Sequence, residues 1–108
     1  MTMLHITTAP TADGLMGVCV AGEIDMETAP QVTDAVRAAV AAGPREVQVD
    51  MAAVTFLDSS GIHMLLRARR EAAECGVALR VVKAHRSVVR VLQITGLLSL
   101  FQDGTLPN

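Results

Sequence analysis

Residues 46–66 read EVQVDMAAVTFLDSSGIHMLL, and this stretch decides the fold. Glu46–Met51 alternates polar with apolar side chains, which predicts a strand with one buried face. A loop over residues 52–61 follows, with an apolar half and then a polar half. Apolar residues recur at helical spacing from Ile62 onwards, which predicts a helix. A strand followed by a helix is typical of the crossover units of α/β proteins.

The residues before this stretch predict a hairpin and a first helix. Strands are expected at Leu4–Thr8 and Leu15–Ala21, with a turn between them. Small residues alternate with larger apolar ones along the second strand, so we expect both faces of the sheet to be covered. Thr28, with a proline two residues later, marks a helix start, and Gly43-Pro44 ends that helix.

The residues after this stretch predict one more helix and two more strands. The helix of the central stretch is expected to end near Cys75, and a strand follows at Ala78–Lys83. A third helix ends before Gly96. Leu98–Phe101 is expected to add a short last strand before a polar tail, residues 104–108.

The alternation of strands and helices predicts a single α/β domain over residues 1–108. We expect a mixed, mostly parallel sheet of four to five strands with three to four helices. The composition supports a folded protein, because 51% of the residues are hydrophobic and 19% are charged.

Charge and aromatic content argue against a nucleic-acid-binding protein. The formal net charge is -2, and the chain contains no Trp or Tyr. Proteins that read nucleic acid usually present a basic face and exposed aromatic side chains for base stacking. We therefore expect no nucleic acid as the main partner.

The cysteines and the apolar runs predict a cytoplasmic protein. Cys19 and Cys75 form no CxxC pair and are expected to be free thiols. The N-terminal sequence MTMLHITTAP lacks the charged and long apolar segments of a signal peptide. No apolar run approaches the roughly 18 residues of a membrane-spanning helix, so no membrane span is expected.

The loop before the second helix is the most informative candidate site. Phe56 and Leu57 are expected to anchor it to the core, and its polar half reaches the helix N-terminus, where free N–H groups favour an anion. A phosphate carried by a serine here would meet those donors. On spacing alone, Asp58 or Ser59 is more often simply a helix cap that needs no other function. Both interpretations stay open at this point.

Enzymatic activity, a metal and a cofactor are not expected. An α/β hydrolase needs a Gly-x-Ser-x-Gly elbow, and Ser59 and Ser60 lack the leading glycine. His63 is near in sequence, but its position predicts a side chain that faces solvent. The chain has no glycine-rich phosphate loop, and its His and Cys residues lack the spacing of metal ligands.

Four segments together resemble the STAS domain family, which is named for sulphate transporters and anti-sigma factor antagonists. They are Gly22–Asp25, Val47–Asp50, Phe56–Ile62 and Thr95–Leu97, and they lie in the family's order along nearly the whole chain. The resemblance implies the STAS fold and the role of a small anti-sigma factor antagonist. Such proteins bind an anti-sigma factor that is also a serine kinase, and this binding releases a sigma factor for transcription.

The resemblance also implies a role for individual residues. The kinase phosphorylates the first serine of the Asp-Ser-Ser-Gly motif, here Ser59, and phosphorylation switches the binding off. A serine phosphatase of the metal-dependent type reverses the modification, and the protein is expected to be a monomer or a weak homodimer. The partner-binding residues implied by the family are Asp25, Asp58, Ser60, Gly61 and Ile62.

Two features depart from the family pattern. His85-Arg86 stands where many relatives have Ser-Pro, and Ser87 is expected to cap the third helix instead. Relatives often close with another helix, but this chain ends in the residues Gly104–Asn108, so we expect Leu97–Phe101 to be less well covered. An alternative role is that of a STAS scaffold subunit, never phosphorylated, in a signalling or lipid-transport assembly.

Overall fold

The strands form one mixed sheet in the computed structural model, which describes residues 3–102. The sheet is ordered β1-β2-β3-β4. Its first two strands are antiparallel, whereas β2, β3 and β4 run parallel to one another. The mostly parallel α/β sheet is as predicted, and the described residues form four strands: β1 (Leu4–Ala12), β2 (Leu15–Ile24), β3 (Glu46–Leu57) and β4 (Ala78–Val82).

Helices fill the connections between the parallel strands, because a parallel pair requires a long crossover. The described helices are α1 (Ala29–Ala41), α2 (Ser59–Glu74), α3 (Arg86–Ile94) and α4 (Leu98–Gln102). α1 and α2 pack against each other and against the sheet, while α3 packs on β3 and α4 packs on β4. The first two helices therefore approach the sheet side by side.

The core lies on one face of the hairpin and the central strand. Val18, Val20, Val47 and Val49 are fully buried. Cys19 points to the opposite face, because side chains alternate across a strand, and it is exposed. The expectation that both faces of the second strand are covered is therefore wrong at this position, as an antiparallel edge pair can leave one face in water.

β3 is longer than predicted. The sequence predicts a loop from residue 52 onwards, but residues 52–57 belong to this strand. The cause is β2, which extends to Ile24 and supplies a parallel partner, so that Ile24 pairs with Leu57. The ladder contains two register shifts, and these break the simple alternation on which the sequence prediction depends.

The predicted last strand is wrong, since Leu98–Gln102 is a helix. Leu98 and Phe101 are three residues apart and share a helix face, and Phe101 is fully buried. Arg80 also donates a hydrogen bond from Nε to the carbonyl oxygen of Gln102, at 3.0 Å. The expectation that Leu97–Phe101 is less well covered is wrong for Phe101, while Leu97, Leu98 and Leu100 are half-buried; the predicted polar tail lies outside the described residues.

His85 caps α3, and the expectation that Ser87 does so is wrong. Nδ1 of His85 accepts a hydrogen bond from the backbone N–H of Ser87 at 3.1 Å, and the helix starts at Arg86. The hydroxyl of Ser87 lies 3.2 Å from the carbonyl oxygen of Val54, to which it donates. Ser87 therefore ties the helix to β3 instead of starting it.

Candidate functional site

Two aspartates meet at the carboxyl edge of the sheet. Asp25 directly follows β2 and Asp58 directly follows β3, and these two strands are parallel neighbours. The backbone N–H of Asp58 donates to the carbonyl oxygen of Ile24 at 3.3 Å, which joins the two strand ends. In open α/β sheets this edge is where ligands and partners usually bind.

Asp58 is the N-cap of α2. Its Oδ1 accepts hydrogen bonds from the backbone N–H groups of Ser60 at 2.9 Å and Gly61 at 3.3 Å. The helix-cap interpretation of the sequence is thus correct for Asp58. The same contacts change the expectation for a phosphate on Ser59, because two of the N–H donors at this helix end already bind a carboxylate.

Ser59 and Ser60 begin α2 and differ in exposure. Ser59 is the first residue of the helix and is exposed, whereas Ser60 is half-buried. An exposed hydroxyl at a helix start, beside a fixed carboxylate, is accessible to a second protein. Of the two serines, Ser59 is therefore the more accessible for modification.

Gly61 and Ile62 are packed into the core beneath the two serines. A Cβ on Gly61 would overlap Cδ1 of Leu57 and would lie 3.0 Å from Cγ of the same residue and 3.1 Å from Cγ2 of Ile24. Ile62 is only 8% exposed. The structure thus gives both residues a packing role under the site, and direct contact between them and a partner stays a prediction.

Thr28 is a further site residue. The sequence predicts that it starts the first helix, but its hydrogen bonding with Asp25 was not predicted. Its hydroxyl donates to the carbonyl oxygen of Glu23 at 2.8 Å and accepts from the N–H of Asp25 at 3.0 Å. Oδ1 of Asp25 in turn accepts from the N–H groups of Glu27 and Thr28, at 2.9 and 3.0 Å. The sequence signal for this arrangement is the Asp-x-x-Thr spacing, because the two side chains then hydrogen-bond backbone groups at the strand end and at the helix start.

Gly22 sets the direction in which β2 enters this turn. Its φ is +122°, a conformation that residues with a Cβ rarely adopt, and the register of the β2–β3 ladder shifts immediately after it. A Cβ here would also overlap the carbonyl oxygen of Met3. The glycine therefore allows the strand to bend before it delivers Glu23 and Asp25 to the edge.

Two large apolar side chains close in sequence to the aspartates are exposed. Met26 follows Asp25 and is 80% exposed, and Phe56 is 45% exposed. The expectation that Phe56 anchors the loop is therefore wrong, whereas Leu57 is 5% exposed and does anchor it. Phe56 points outward because neighbouring residues of a strand face opposite sides of the sheet.

A groove of about 500 Å³ runs between α1 and α2 and begins beside Ser60. His63 lies on its wall and is exposed, as predicted. Arg67 stands one helix turn further along α2. The remaining lining residues are Met26, Ala29, Pro30, Thr33, Asp34, Arg37 and Met64.

One bidentate ion pair connects α1 and α2 at the far end of this groove. Nε and Nη2 of Arg37 donate to Oε1 and Oε2 of Glu71 at 2.9 and 3.0 Å. These hydrogen bonds lower the pKa of Glu71 and, in return, raise the pKa of Arg37. Because both side chains are partly open to water, the pair orients the helices more than it stabilises them.

Residues 3–102 show no group of three or more His, Cys, Asp or Glu side chains arranged to hold a metal ion. Among the helices of the same residues, none has the length and apolar character needed to cross a bilayer.

Comparison with known proteins identifies the family. The family model for the STAS domain matches residues 7–107. The chain belongs to the STAS domain family. The anti-sigma factor antagonists of this family are regulatory, non-enzymatic proteins, as predicted for this chain.

Individual relatives agree with this assignment. The anti-sigma-B factor antagonist of Staphylococcus aureus is 27% identical over 104 residues, which are 94% of this chain and 95% of that protein. The crystal structure of an anti-sigma factor antagonist from Mycobacterium paratuberculosis superposes with a TM-score of 0.79 and 32% identity, covering 92% of this chain and 83% of that one. These relatives support the general role of an anti-sigma factor antagonist.

The fold is also that of the anti-sigma factor antagonist SpoIIAA. Its unphosphorylated form gives a TM-score of 0.73 at 20% identity, over 88% of this chain and 84% of that chain. The phosphorylated form of SpoIIAA, a Bacillus cell fate determinant, gives 0.68 at 18% identity, over 91% and 88%. At these identities the likeness concerns the STAS fold alone.

Proposed function

We propose that the unmodified chain binds an anti-sigma factor that is also a serine kinase, and that phosphorylation of Ser59 ends this binding. Binding would free a sigma factor, and a serine phosphatase of the metal-dependent type would restore the active form. The observation that carries the proposal is the position of Ser59, exposed at the first residue of α2 next to the fixed carboxylate of Asp58.

Charge gives the proposed switch its direction. The unmodified edge already carries Glu23, Asp25 and Asp58, and a phosphate adds about -1.5 to -2 charges at neutral pH. A basic partner surface fits the unmodified edge. A phosphate in the middle of the contact repels partner carboxylates and must be desolvated, and each 1.4 kcal/mol of this difference is about a tenfold change in affinity.

The exposed apolar side chains support a protein partner for this edge. Met26 and Phe56 place apolar surface beside the acidic residues, and protein interfaces commonly combine an apolar centre with a polar rim. The buried Gly61 and Ile62 hold the start of α2 against Leu57 and Ile24 beneath this surface. In this proposal the partner contacts the polar groups of Asp25, Asp58 and Ser60, which are more exposed than the buried residues beneath them.

Phosphorylation by the cognate kinase and ATP tests the modification site. We expect one phosphate per chain on the wild-type protein and on Ser60→Ala, and none on Ser59→Ala. The Ser60→Ala variant is the matched control, because it removes the neighbouring hydroxyl on the same helix turn. Modification at Ser60 or Ser87 in place of Ser59 would refute the assignment.

A binding experiment tests the switch itself. Ser59→Ala and Ser59→Asp proteins are used to capture the anti-sigma kinase from the native cytosol, beside a sample phosphorylated in vitro. We expect the alanine form to retain the kinase and the phosphorylated form to lose it, with the aspartate form weakened. Equal retention by all three would exclude the switch, and a stable complex without detectable phosphate would favour a scaffold subunit of a signalling or lipid-transport assembly.

A further inference from the structure

A phosphate on Ser59 would find two backbone N–H donors at the start of α2 already bound to another group. Oδ1 of Asp58 already accepts the N–H groups of Ser60 and Gly61, so a phosphate must displace a carboxylate to reach these donors. Asp58 also carries a negative charge and precedes Ser59 directly in the chain. A phosphate dianion is therefore repelled on the side of the cap.

One helix turn beyond Ser59 lies His63. Ser59 and His63 are four residues apart in α2, and side chains at this spacing are neighbours on the helix surface. Both residues are exposed, so a phosphate can turn towards the imidazole without entering the core. His63 also lines the groove between α1 and α2, next to Ser60.

We propose that His63 is a positioning residue for the phosphate on Ser59, which it holds over the mouth of the α1–α2 groove when the imidazole is protonated. The inference rests on the proposed modification of Ser59. A nearby imidazolium favours the dianion of the phosphate over the monoanion, so the pair lowers the pH of the second phosphate ionisation, which lies near pH 6 in phosphoserine.

Other charged groups around His63 set the limits of this pair. Arg67 lies one turn further along α2 and Asp34 and Arg37 face the groove from α1. Arg37 is already bound to Glu71 through two hydrogen bonds. Asp58 repels the phosphate from the other side. Of the groups named here, His63 is the one that lies one helix turn from Ser59, and Arg67 lies a further turn away.

Titration of phosphoserine incorporated at position 59 during translation tests the inference without any kinase. The midpoint of the second phosphate ionisation is measured by ³¹P NMR in otherwise wild-type protein, in His63→Gln, in His63→Arg and in Arg67→Gln. We expect removal of the imidazole to raise this midpoint by roughly 0.2 to 0.4 pH units, the scale of an exposed i, i+4 ion pair in a helix. His63→Arg is expected to restore the low midpoint, and Arg67→Gln to leave it unchanged.

Coinciding midpoints in the His63 and His63→Gln proteins would overturn the inference, as would an effect of Arg67→Gln equal to that of His63→Gln. Neither result depends on whether a kinase modifies Ser59. A failure of this titration therefore leaves the proposed switch in place, and a failure of Ser59 to be phosphorylated by a cognate kinase leaves the titration valid.

Discussion

Gly61→Ala is the substitution whose effect can be worked out most directly from the structure. The new methyl group would overlap Cδ1 of Leu57 and lie within 3.0 Å of its Cγ and 3.1 Å of Cγ2 of Ile24. Alanine in place of glycine inside a helix normally stabilises it by about 1 kcal/mol. Overpacking a filled core costs about 1–3 kcal/mol, and contacts this short place the cost near the upper end.

We therefore expect Gly61→Ala to lower the free energy of unfolding by about 1–2 kcal/mol net. Urea unfolding followed by circular dichroism measures this value, with an unchanged m-value as the check for two-state behaviour. A Gly61→Ala protein more stable than wild type by about 1 kcal/mol would show that helix propensity alone decides the outcome, and it would refute the packing argument.

A double-mutant cycle with Leu57→Ala separates the clash from any other effect. Leu57→Ala alone is expected to cost about 2–5 kcal/mol, since Leu57 is 5% exposed and its removal leaves a cavity. In that background the added methyl group at position 61 has room, so Gly61→Ala should become neutral or stabilising. Purely additive losses would contradict the proposed contact between the two side chains.

The other predictions concern the two caps and the ion pair. Asp58→Ala is expected to cost about 1 kcal/mol of unfolding free energy and Asp58→Asn less, because asparagine keeps an oxygen acceptor for the two N–H groups; urea unfolding measures both, and equal losses would contradict this. Thr28→Val leaves two part-buried backbone groups without their partner and should cost about 1 kcal/mol in thermal unfolding, whereas an unchanged melting temperature would contradict the network. The hydrogen bonds from Arg37 lower the pKa of Glu71, so the unfolded chain binds more protons than the folded protein in acid. The stabilising contribution of these hydrogen bonds is therefore present above the ordinary carboxyl pKa. It is lost as the pH falls through the lowered pKa of Glu71. A double-mutant cycle of Arg37→Gln and Glu71→Gln at neutral and acid pH checks this, and a coupling that persists in acid would contradict it.

The sequence predicts the strands and helices well where a single periodicity holds. Glu46–Met51 alternates regularly and forms the buried half of β3 as expected. The remainder of β3 could not be recognised, because its pairing with β2 passes through two register shifts that depend on tertiary contacts. The prediction of a strand at Leu98–Phe101 was wrong for a different reason. A short apolar run fits a strand or a helix equally, and packing on β4 decides between them.

The site was predictable where its bonds are local in sequence. The cap by Asp58 spans three residues and follows from helix-start chemistry alone. Asp25 and Asp58 come together only because β2 and β3 pair in parallel. From the sequence, only the family resemblance placed these two residues in one site. The exposure of Phe56 depends on the register between β2 and β3, which no local sequence pattern predicts.

The role of Asp58 as a cap also explains why charge, more than local rearrangement, should dominate the proposed switch. A serine phosphate at a bare helix end would be partly compensated by free N–H donors, since a helix N-terminus is equivalent to roughly half a positive charge. Here two of those donors are bound to a carboxylate that sits beside the modified residue. The phosphate therefore adds its charge to an edge that is already acidic. For the same reason an aspartate at position 59, with one charge and two oxygens, should weaken binding less than the phosphate does.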